Sequence, residues 1–178
     1  NDEVLEIGPG KGIITKELIK HSLVTAIEYD SSLYNDLLKM NISNLNLIND
    51  DFLNYTFSKK TIIISNIPFN ITSDIFNKIL ENYVYIDDFY FIMQKEPALM
   101  YLGENNETMK SLLIKPLYEG KILYEFKKSD FNPSPSVDTV FIHFHKKEYI
   151  DIKRSTVEEY YDFIANIFSN NETTIKGN

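Results

Sequence analysis

The sequence predicts an α/β fold with a mostly parallel sheet and helices on both of its faces. Two observations support this prediction. Along the first half of the chain, β-rich runs alternate with stretches of helical spacing, and each pair is separated by glycine or polar residues. After residue 93 the alternation stops, and two strand-like runs flank a loop with two prolines. That ending predicts an antiparallel pair, so the sheet has seven strands with one antiparallel strand.

Predicted strands alternate with predicted helices along the first half of the chain. The predicted strands lie in "EVLEIG", "LVTAIEYD", "LNLIND", "TIIISN" and "DFYFIM". The predicted helices between them lie in "IITKELIKH", in "SSLYNDLLKM", which opens with serines suited to capping, and in "TSDIFNKILEN", a capped amphipathic segment.

The later part has its own order of elements. We expect a helix in "ETMKSLLIKPLYEG" that is broken at Pro116, because proline lacks the amide that a helix interior needs. The two strands of the expected pair are "KILYEFKK" and "TVFIHFHKK", joined by the loop "FNPSPSV". A last helix, "STVEEYYDFIANIFSN", is expected to have no helical partner in the chain.

Composition restricts the class of protein. Hydrophobic residues make up 43% and charged residues 25%, which is typical of a globular protein. No apolar run approaches the roughly 20 residues of a membrane helix, so we expect no membrane partner. Cysteine is absent, which excludes disulfides and thiolate metal sites in this chain. No secretory leader is visible at the start of the printed sequence, and we expect a cytoplasmic, monomeric protein.

Charge and histidine content argue against two kinds of binding. The net charge of −8 counts against a protein that coats nucleic acid unaided. The three histidines are scattered, and His143 and His145 are expected on one face of a strand as structural residues. We therefore expect no metal site.

The first motif is "EIGPGKG", between a predicted strand and helix. Gly8, Gly10 and Gly12 would let the backbone turn sharply and approach a ligand closely. The spacing differs from the G-x-G-x-x-G of dinucleotide folds. An ordinary tight turn is the alternative.

Acidic residues follow the next two strands. Glu28 could accept hydrogen bonds from both hydroxyls of a ribose, which indicates a nucleoside-containing ligand. A solvated strand end is the alternative, with Asp30 as a helix N-cap. In "NDDF", Asp51 is the candidate acceptor for an adenine amino group and Asp50 the capping or surface member, while Phe52 could cover the ring.

The fourth motif is "SNIPFNIT". Pro68 restricts the backbone around Asn66 and Ile67, which predicts a rigid edge of hydrogen-bond acceptors. Two acceptors there, the Asn66 side-chain oxygen and a neighbouring carbonyl, could bind the two hydrogens of an exocyclic amino group and favour a pyramidal nitrogen. Phe69 could stack on the base. A plain strand-to-helix turn with Thr72 or Ser73 as N-cap is the alternative.

In this order and at these intervals, the four motifs resemble the signatures of the S-adenosylmethionine-dependent ribosomal RNA adenine N6-dimethyltransferases. "MQKEPA" and "FNPSPSVDTVFIHF" resemble a later strand and an aromatic-proline loop of that family, so the match runs to about Lys147. The resemblance implies a Rossmann-like class I methyltransferase fold and S-adenosylmethionine as cofactor.

The resemblance also implies roles for individual residues. The implied catalytic residues are Asn66, Ile67, Pro68 and Phe69. The implied cofactor-binding residues are Glu6, Gly8, Gly10, Gly12, Glu28, Tyr29, Asp51, Phe52 and Asn66. The target base would stack on Phe69 and Phe131; a loop-anchoring core residue is the alternative role for Phe131.

Two branches of the family compete. One methylates 23S RNA and confers resistance to macrolide, lincosamide and streptogramin B antibiotics; the other methylates adenines of 16S RNA during ribosome maturation. "SNIPFNITSDIF" and "QKEPA" resemble the resistance branch more closely, so 23S RNA is the preferred partner and 16S RNA the alternative. A non-catalytic nucleic-acid-binding relative and a nicotinamide dehydrogenase are less favoured.

The resemblance also suggests a domain division. Residues 1–148 would form the methyltransferase domain without the family's usual segment before the first strand. Residues 149–178 would begin a truncated C-terminal helical domain.

Overall fold

The computed structural model describes residues 3–104 and 106–170. In this part of the chain seven strands form one sheet: β1 Glu3–Ile7, β2 Leu23–Ile27, β3 Leu45–Ile48, β4 Thr61–Asn66, β5 Ile86–Gln94, β6 Tyr118–Phe126 and β7 Thr139–Lys146. The strand order is β3-β2-β1-β4-β5-β7-β6. The predicted fold class is confirmed. The chain divides into two compact units, of which the first ends at Ile92 and the second begins at Met93.

The first unit is a parallel α/β layer. Strand β1 pairs in parallel with β2 and β4, β2 pairs with β3, and β4 pairs with β5. Its helices are α1 Ile13–Leu18, α2 Ser31–Leu38 and α3 Thr72–Glu81. Helix α3 packs Phe76 edge-on against Phe89 and Phe91 of β5, with ring centroids 5.8 and 5.5 Å apart. All three rings are fully buried, so this aromatic cluster supports the sheet from the α3 side.

Two helices of this unit lack the serine or threonine caps predicted for them, while Asp30, the alternative N-cap named for the first of these helices, does cap it. Helix α2 is capped by Asp30 and not by its serines: one Asp30 oxygen accepts from the amides of Ser32 and Leu33 at 2.8 and 3.0 Å. Helix α3 has no side-chain cap. The Thr72 hydroxyl is 3.2 Å from the Phe69 carbonyl and donates to it, because a short 3₁₀ turn over Phe69–Ile71 precedes the helix.

In its described part, the second unit contains the antiparallel pair and three α-helices. Strands β6 and β7 are antiparallel. The helices are α4 Lys95–Leu102, α5 Met109–Ile114 and α6 Val157–Asn170. Helix α4 is absent from the prediction; Pro97 lies in its first turn, where a missing amide costs nothing, and Gly103 ends it with φ of 66°. Helix α5 ends before Pro116 as expected, but β6 already begins at Tyr118, inside the segment expected to be helical.

Helix α6 has a partner, contrary to expectation. The Tyr160 hydroxyl donates to the Leu112 carbonyl of α5 at 2.8 Å. Val157 and Ile164 are buried on the same helix. The amphipathic face of α6 is therefore covered within the second unit, because the short helix α5 supplies a surface that the sequence pattern did not reveal.

His143 and His145 lie on β7 with ring centres 6.2 Å apart, and as alternate residues they share one face of the strand as predicted. Among the helices of residues 3–104 and 106–170, none combines the length and apolarity needed to cross a bilayer.

Candidate active site

A cavity of about 440 Å³ opens at the carboxyl ends of the parallel strands in the first unit. This edge of an open α/β sheet is where such folds bind ligands. Its size lies within the range of ordinary small-molecule sites. The lining residues are Ile7, Gly8, Ile27, Glu28, Tyr29, Asp30, Asp50, Asp51, Phe52, Pro68, Asn70 and Ile71.

The glycine loop after β1 is held in a conformation that suits glycine. Gly8, Gly10 and Gly12 have φ of 63°, 58° and 74°. A Cβ on Gly12 would lie 2.6 Å from Cδ2 of Leu37, so this position also requires a close approach to α2. Gly8 lines the cavity, whereas Gly10 and Gly12 shape the loop behind it. The loop therefore presents backbone to a ligand on one side and packs on its other side.

Glu28 joins the glycine loop to the end of β2. Its Oε2 accepts from the Gly10 amide and its Oε1 from the Asp30 amide, both at 2.9 Å. The residue is only 5% exposed and lines the cavity. Each carboxylate oxygen has a second lone pair, so the side chain can still accept hydroxyl hydrogens from a ribose.

The Asp50–Phe52 segment forms another wall. Asp51 is the N-cap of a 3₁₀ turn over Phe52–Asn54, where its Oδ1 accepts from the Leu53 amide at 2.8 Å. Asp50 accepts from Asn54 Nδ2 at 2.9 Å. Asp51 is therefore the capping residue of this turn, and of the two roles expected for Asp50, capping or surface, the exposed Asp50 has the surface one. Both acids line the cavity, as does the buried ring of Phe52.

The segment after β4 reaches the cavity through its proline. A Cβ on Gly8 would lie 4.0 Å from Cγ of Pro68, so the glycine loop and this segment are neighbours. The buried Ile67 anchors the segment, its amide donating to the Ile92 carbonyl at 3.0 Å. Asn66 is exposed and the Phe69 ring is 47% exposed, and neither is among the residues that line the cavity. Among residues 3–104 and 106–170, none hydrogen-bonds the side-chain amide of Asn66, whose backbone belongs to the paired strand β4.

Glu6 lies on β1, just before the glycine loop, and is not among the residues that line the cavity. It is 1% exposed, and its Oε2 has no hydrogen-bond partner within the residues described. Burial raises the pKa of Glu6 from 4.5 to about 7, against the opposing effect of the adjacent Thr15, and the negative charge of Glu28 adds to the rise. With its pKa near neutrality, the Glu6 carboxyl is protonated in a large fraction of molecules at pH values below about 7.

Phe131 lies in the second unit. Its ring packs edge-on against Phe126, with centroids 5.1 Å apart, and it is partly exposed. It follows a 3₁₀ turn over Lys128–Asp130. This contact fits a loop-anchoring residue, while the predicted role in stacking a target base stays a prediction.

Some residues near the cavity were not predicted as site residues. Asn49 donates to the carbonyl of Glu28 at 2.8 Å and accepts from the Ser31 hydroxyl at 2.9 Å, which ties the ends of β2 and β3 together. Asn70 and Ile71 line the cavity beside Pro68. Asn49 and Asn70 stand inside the motifs already quoted, so position relative to the strand ends was the available signal.

Comparison with known proteins agrees with this geometry. The family model for ribosomal RNA adenine dimethylase matches residues 1–178. A ribosomal RNA small subunit methyltransferase A of Mycoplasmopsis pulmonis is 38% identical over all of this chain and 73% of its own length. The protein of the same name from Fusobacterium nucleatum is 34% identical over all of this chain and 71% of its own.

A solved structure has the same fold. The 23S rRNA methyltransferase ErmE superposes with a TM-score of 0.83 at 25% identity, covering 97% of this chain and 72% of that one. The chain therefore belongs to the ribosomal RNA adenine dimethylase family and is an S-adenosylmethionine-dependent rRNA methyltransferase.

Proposed function

We propose that this enzyme transfers methyl groups to the N6 amino group of adenine in 16S ribosomal RNA. The observation that carries the choice of RNA is the identity of 38% and 34% to two proteins named as small-subunit methyltransferases. The preference for 23S RNA in the sequence analysis is not confirmed. It stays as a second candidate because of the similarity to the 23S rRNA methyltransferase ErmE.

The cavity in the first unit is the proposed cofactor site, and its donor set fits S-adenosylmethionine. Glu28 would accept the ribose hydroxyls, since its two oxygens are already oriented by the amides of Gly10 and Asp30. Asp51 would accept from the adenine amino group, with Phe52 and Tyr29 against the ring. The glycine loop, just after Glu6 in the chain, would receive the methionine part. This division places each ligand group beside a side chain of matching chemistry.

The Asn66–Phe69 segment is the proposed site of the target base. The Asn66 side-chain oxygen and a neighbouring backbone carbonyl would bind the two amino hydrogens of adenine, and Pro68 and the buried Ile67 keep these acceptors rigid. The half-exposed ring of Phe69 offers a stacking face.

These residues would act mainly by orientation. When bound, the cofactor supplies an electrophilic methyl group on its sulfonium. Asn66 is neutral, so it would hold the amino nitrogen with its lone pair outward and leave proton release to water after transfer. Fixed acceptors of this kind lower the activation barrier by up to several kcal/mol. A second transfer would require the monomethylated nitrogen to rotate and bind again.

The domain division at residue 148 is also a proposal. Residues 149–178 would begin a C-terminal helical domain, although α6, in the described part of this segment, already packs on α5 within the second unit.

Mapping of reverse-transcription stops tests the choice of RNA. The protein is expressed in a bacterial strain that lacks its own small-subunit adenine dimethyltransferase, and both ribosomal RNAs are examined by primer extension. Dimethylation of N6 blocks base pairing, so we expect a new stop in 16S RNA that Asn66→Ala eliminates. A stop confined to 23S RNA would support the second candidate, and no stop in either RNA would contradict both.

A further inference from the structure

We propose that Lys78 is a positioning residue for the adenine of the cofactor, because it fixes the cavity wall formed by Asp51 and Phe52. The inference rests on the proposed function, since it takes the cavity of the first unit as the cofactor site. Lys78 lies on α3 and does not line that cavity. It would act through the wall residues and without touching the ligand.

Two contacts connect Lys78 to the wall. Its Nζ donates to the Leu53 carbonyl at 2.7 Å and lies 5.7 Å from the centre of the Phe52 ring. The first is a charge-assisted hydrogen bond and the second has the geometry of a cation–π contact. The lysine is half-buried and the Phe52 ring is buried, so part of this interaction is shielded from water.

Both backbone polar groups of Leu53, its amide and its carbonyl, are therefore hydrogen-bonded to side chains. Asp51 accepts from its amide at 2.8 Å, and Lys78 donates to its carbonyl. The remaining backbone bonds of the turn join Asn54 to Asp51 at 2.9 Å and Tyr55 to Phe52 at 3.0 Å. A single 3₁₀ turn has little stability of its own, so side-chain contacts determine how stable its conformation is.

The need for a tether outside the cavity follows from the double role of Asp51. The same carboxylate caps the turn and is the proposed acceptor for the adenine amino group. If the cap weakens when the ligand binds, the turn loses its internal support. Lys78 holds the turn from the α3 side, where no ligand competes for it.

Lys78 should affect the affinity of the cofactor and not the chemical step. S-Adenosylmethionine and S-adenosylhomocysteine carry the same adenosine. They differ in one methyl group and in the positive charge on the sulfur. Both should therefore weaken by the same factor when the lysine is removed. Turnover at saturating cofactor should change little, because the acceptors of the target base lie on another segment.

The experiment compares Lys78→Met, which keeps much of the side-chain length, with Lys78→Arg, which keeps the charge and donors. Lys39→Met is the matched control, because Lys39 is exposed at the C-cap of α2 and pairs with Asp36 at 2.7 Å. Calorimetric titration with each of the two ligands is the first readout. We expect about fivefold weaker binding of both to Lys78→Met, a fraction of what a charged hydrogen bond and a cation–π contact contribute. Lys78→Arg should restore most of the affinity, and the control should bind as the wild type does.

Hydrogen exchange provides a readout of the tether itself. Amides in the segment 51–55 should exchange faster in ligand-free Lys78→Met than in the wild type or the control. Lys78→Gln gives the same readouts if the methionine variant does not fold.

Unchanged affinity in Lys78→Met would overturn the inference, as would a loss of turnover at saturating cofactor with unchanged affinity. Glu28→Gln separates this failure from failure of the proposed site. If Glu28→Gln weakens the cofactor and Lys78→Met does not, only the role of Lys78 is wrong. If neither variant weakens it, the cavity is not the cofactor site.

Discussion

The backbone amide of Gly10 donates a hydrogen bond to Oε2 of Glu28 across 2.9 Å. The two residues are 18 positions apart and lie on loops that follow the adjacent parallel strands β1 and β2. The carboxylate therefore holds the loop that would receive the methionine part, while it remains able to accept from a ribose. Two motifs that look separate in the sequence form one unit of the site.

Glu28→Gln should weaken S-adenosylmethionine binding by about 10- to 100-fold, the loss of roughly 1.5–3 kcal/mol for hydrogen bonds to a charged group. The amide of glutamine has one acceptor oxygen, so its NH₂ group must face the donor of Gly10 or of Asp30. Calorimetry measures the change. Glu17→Gln is the control, since Glu17 is exposed and pairs with Lys20; an equal affinity in Glu28→Gln and this control would contradict the ribose assignment.

Gly12→Ala and Gly10→Ala form a matched pair for the glycine loop. Both residues have positive φ, which costs a non-glycine residue about 1–2 kcal/mol. Only at Gly12 would the new Cβ also overlap Leu37, at 2.6 Å, whereas at Gly10 nothing lies within 4 Å. We expect the free energy of unfolding to fall by about 2–4 kcal/mol in Gly12→Ala and by about 1–2 kcal/mol in Gly10→Ala.

Urea denaturation of the two glycine variants measures this difference. Equal losses would mean that α2 does not restrict the loop.

Glu6 should make the unfolding free energy fall as pH rises. Burial raises its pKa from 4.5 to about 7, so between these values the folded chain keeps a proton that the unfolded chain releases. The penalty is absent below pH 4.5 and complete above about pH 7. Glu6→Gln does not ionise, so its stability relative to the wild type should improve by about 2–3 kcal/mol between pH 5 and pH 8.

Denaturant titrations of the wild type and Glu6→Gln at the two pH values check this. A difference between the two proteins that stays constant with pH would show that Glu6 remains ionised in the folded chain.

Asn66→Ala should lose methyl transfer and keep cofactor affinity. Its side-chain amide is the proposed acceptor for the target amino group, and removal of one oriented polar group from an active site typically costs about 10²–10³ in turnover. Transfer of a labelled methyl group to ribosomal RNA measures the loss, and calorimetry measures the affinity. Asn35→Ala on the exposed side of α2 is the control; undiminished transfer by Asn66→Ala would remove that residue from the mechanism.

The strands and helices of the first unit could be predicted well from the sequence, because recognisable residues follow the end of each strand. Glycines that need positive φ follow β1, and Glu28 follows β2. Helix α4 escaped prediction because Pro97 looks like a helix breaker until its place in the first turn is known. The helix that contains α5 was predicted, but its packing against α6 was not, since the Tyr160–Leu112 contact joins residues 48 positions apart.

Within the site, spacing identified the strand ends but not the contacts made there. The Asp51 cap is a local contact with the Leu53 amide two residues on. That Lys78 reaches the Leu53 carbonyl, however, depends on how a helix 25 positions away packs beside the turn. Such long-range side-chain contacts leave no periodic signal. The exposure of Asn66 and Phe69 likewise follows from the 3₁₀ turn after Pro68, which the motif alone does not specify.

A crystal structure of the protein with bound S-adenosylmethionine tests the central assignment most directly. We predict electron density for the adenine beside Asp51 and Phe52, for the ribose on Glu28, and for the methyl group directed toward Asn66. Density for the cofactor elsewhere, or a methyl group directed away from Asn66, would contradict the assignment.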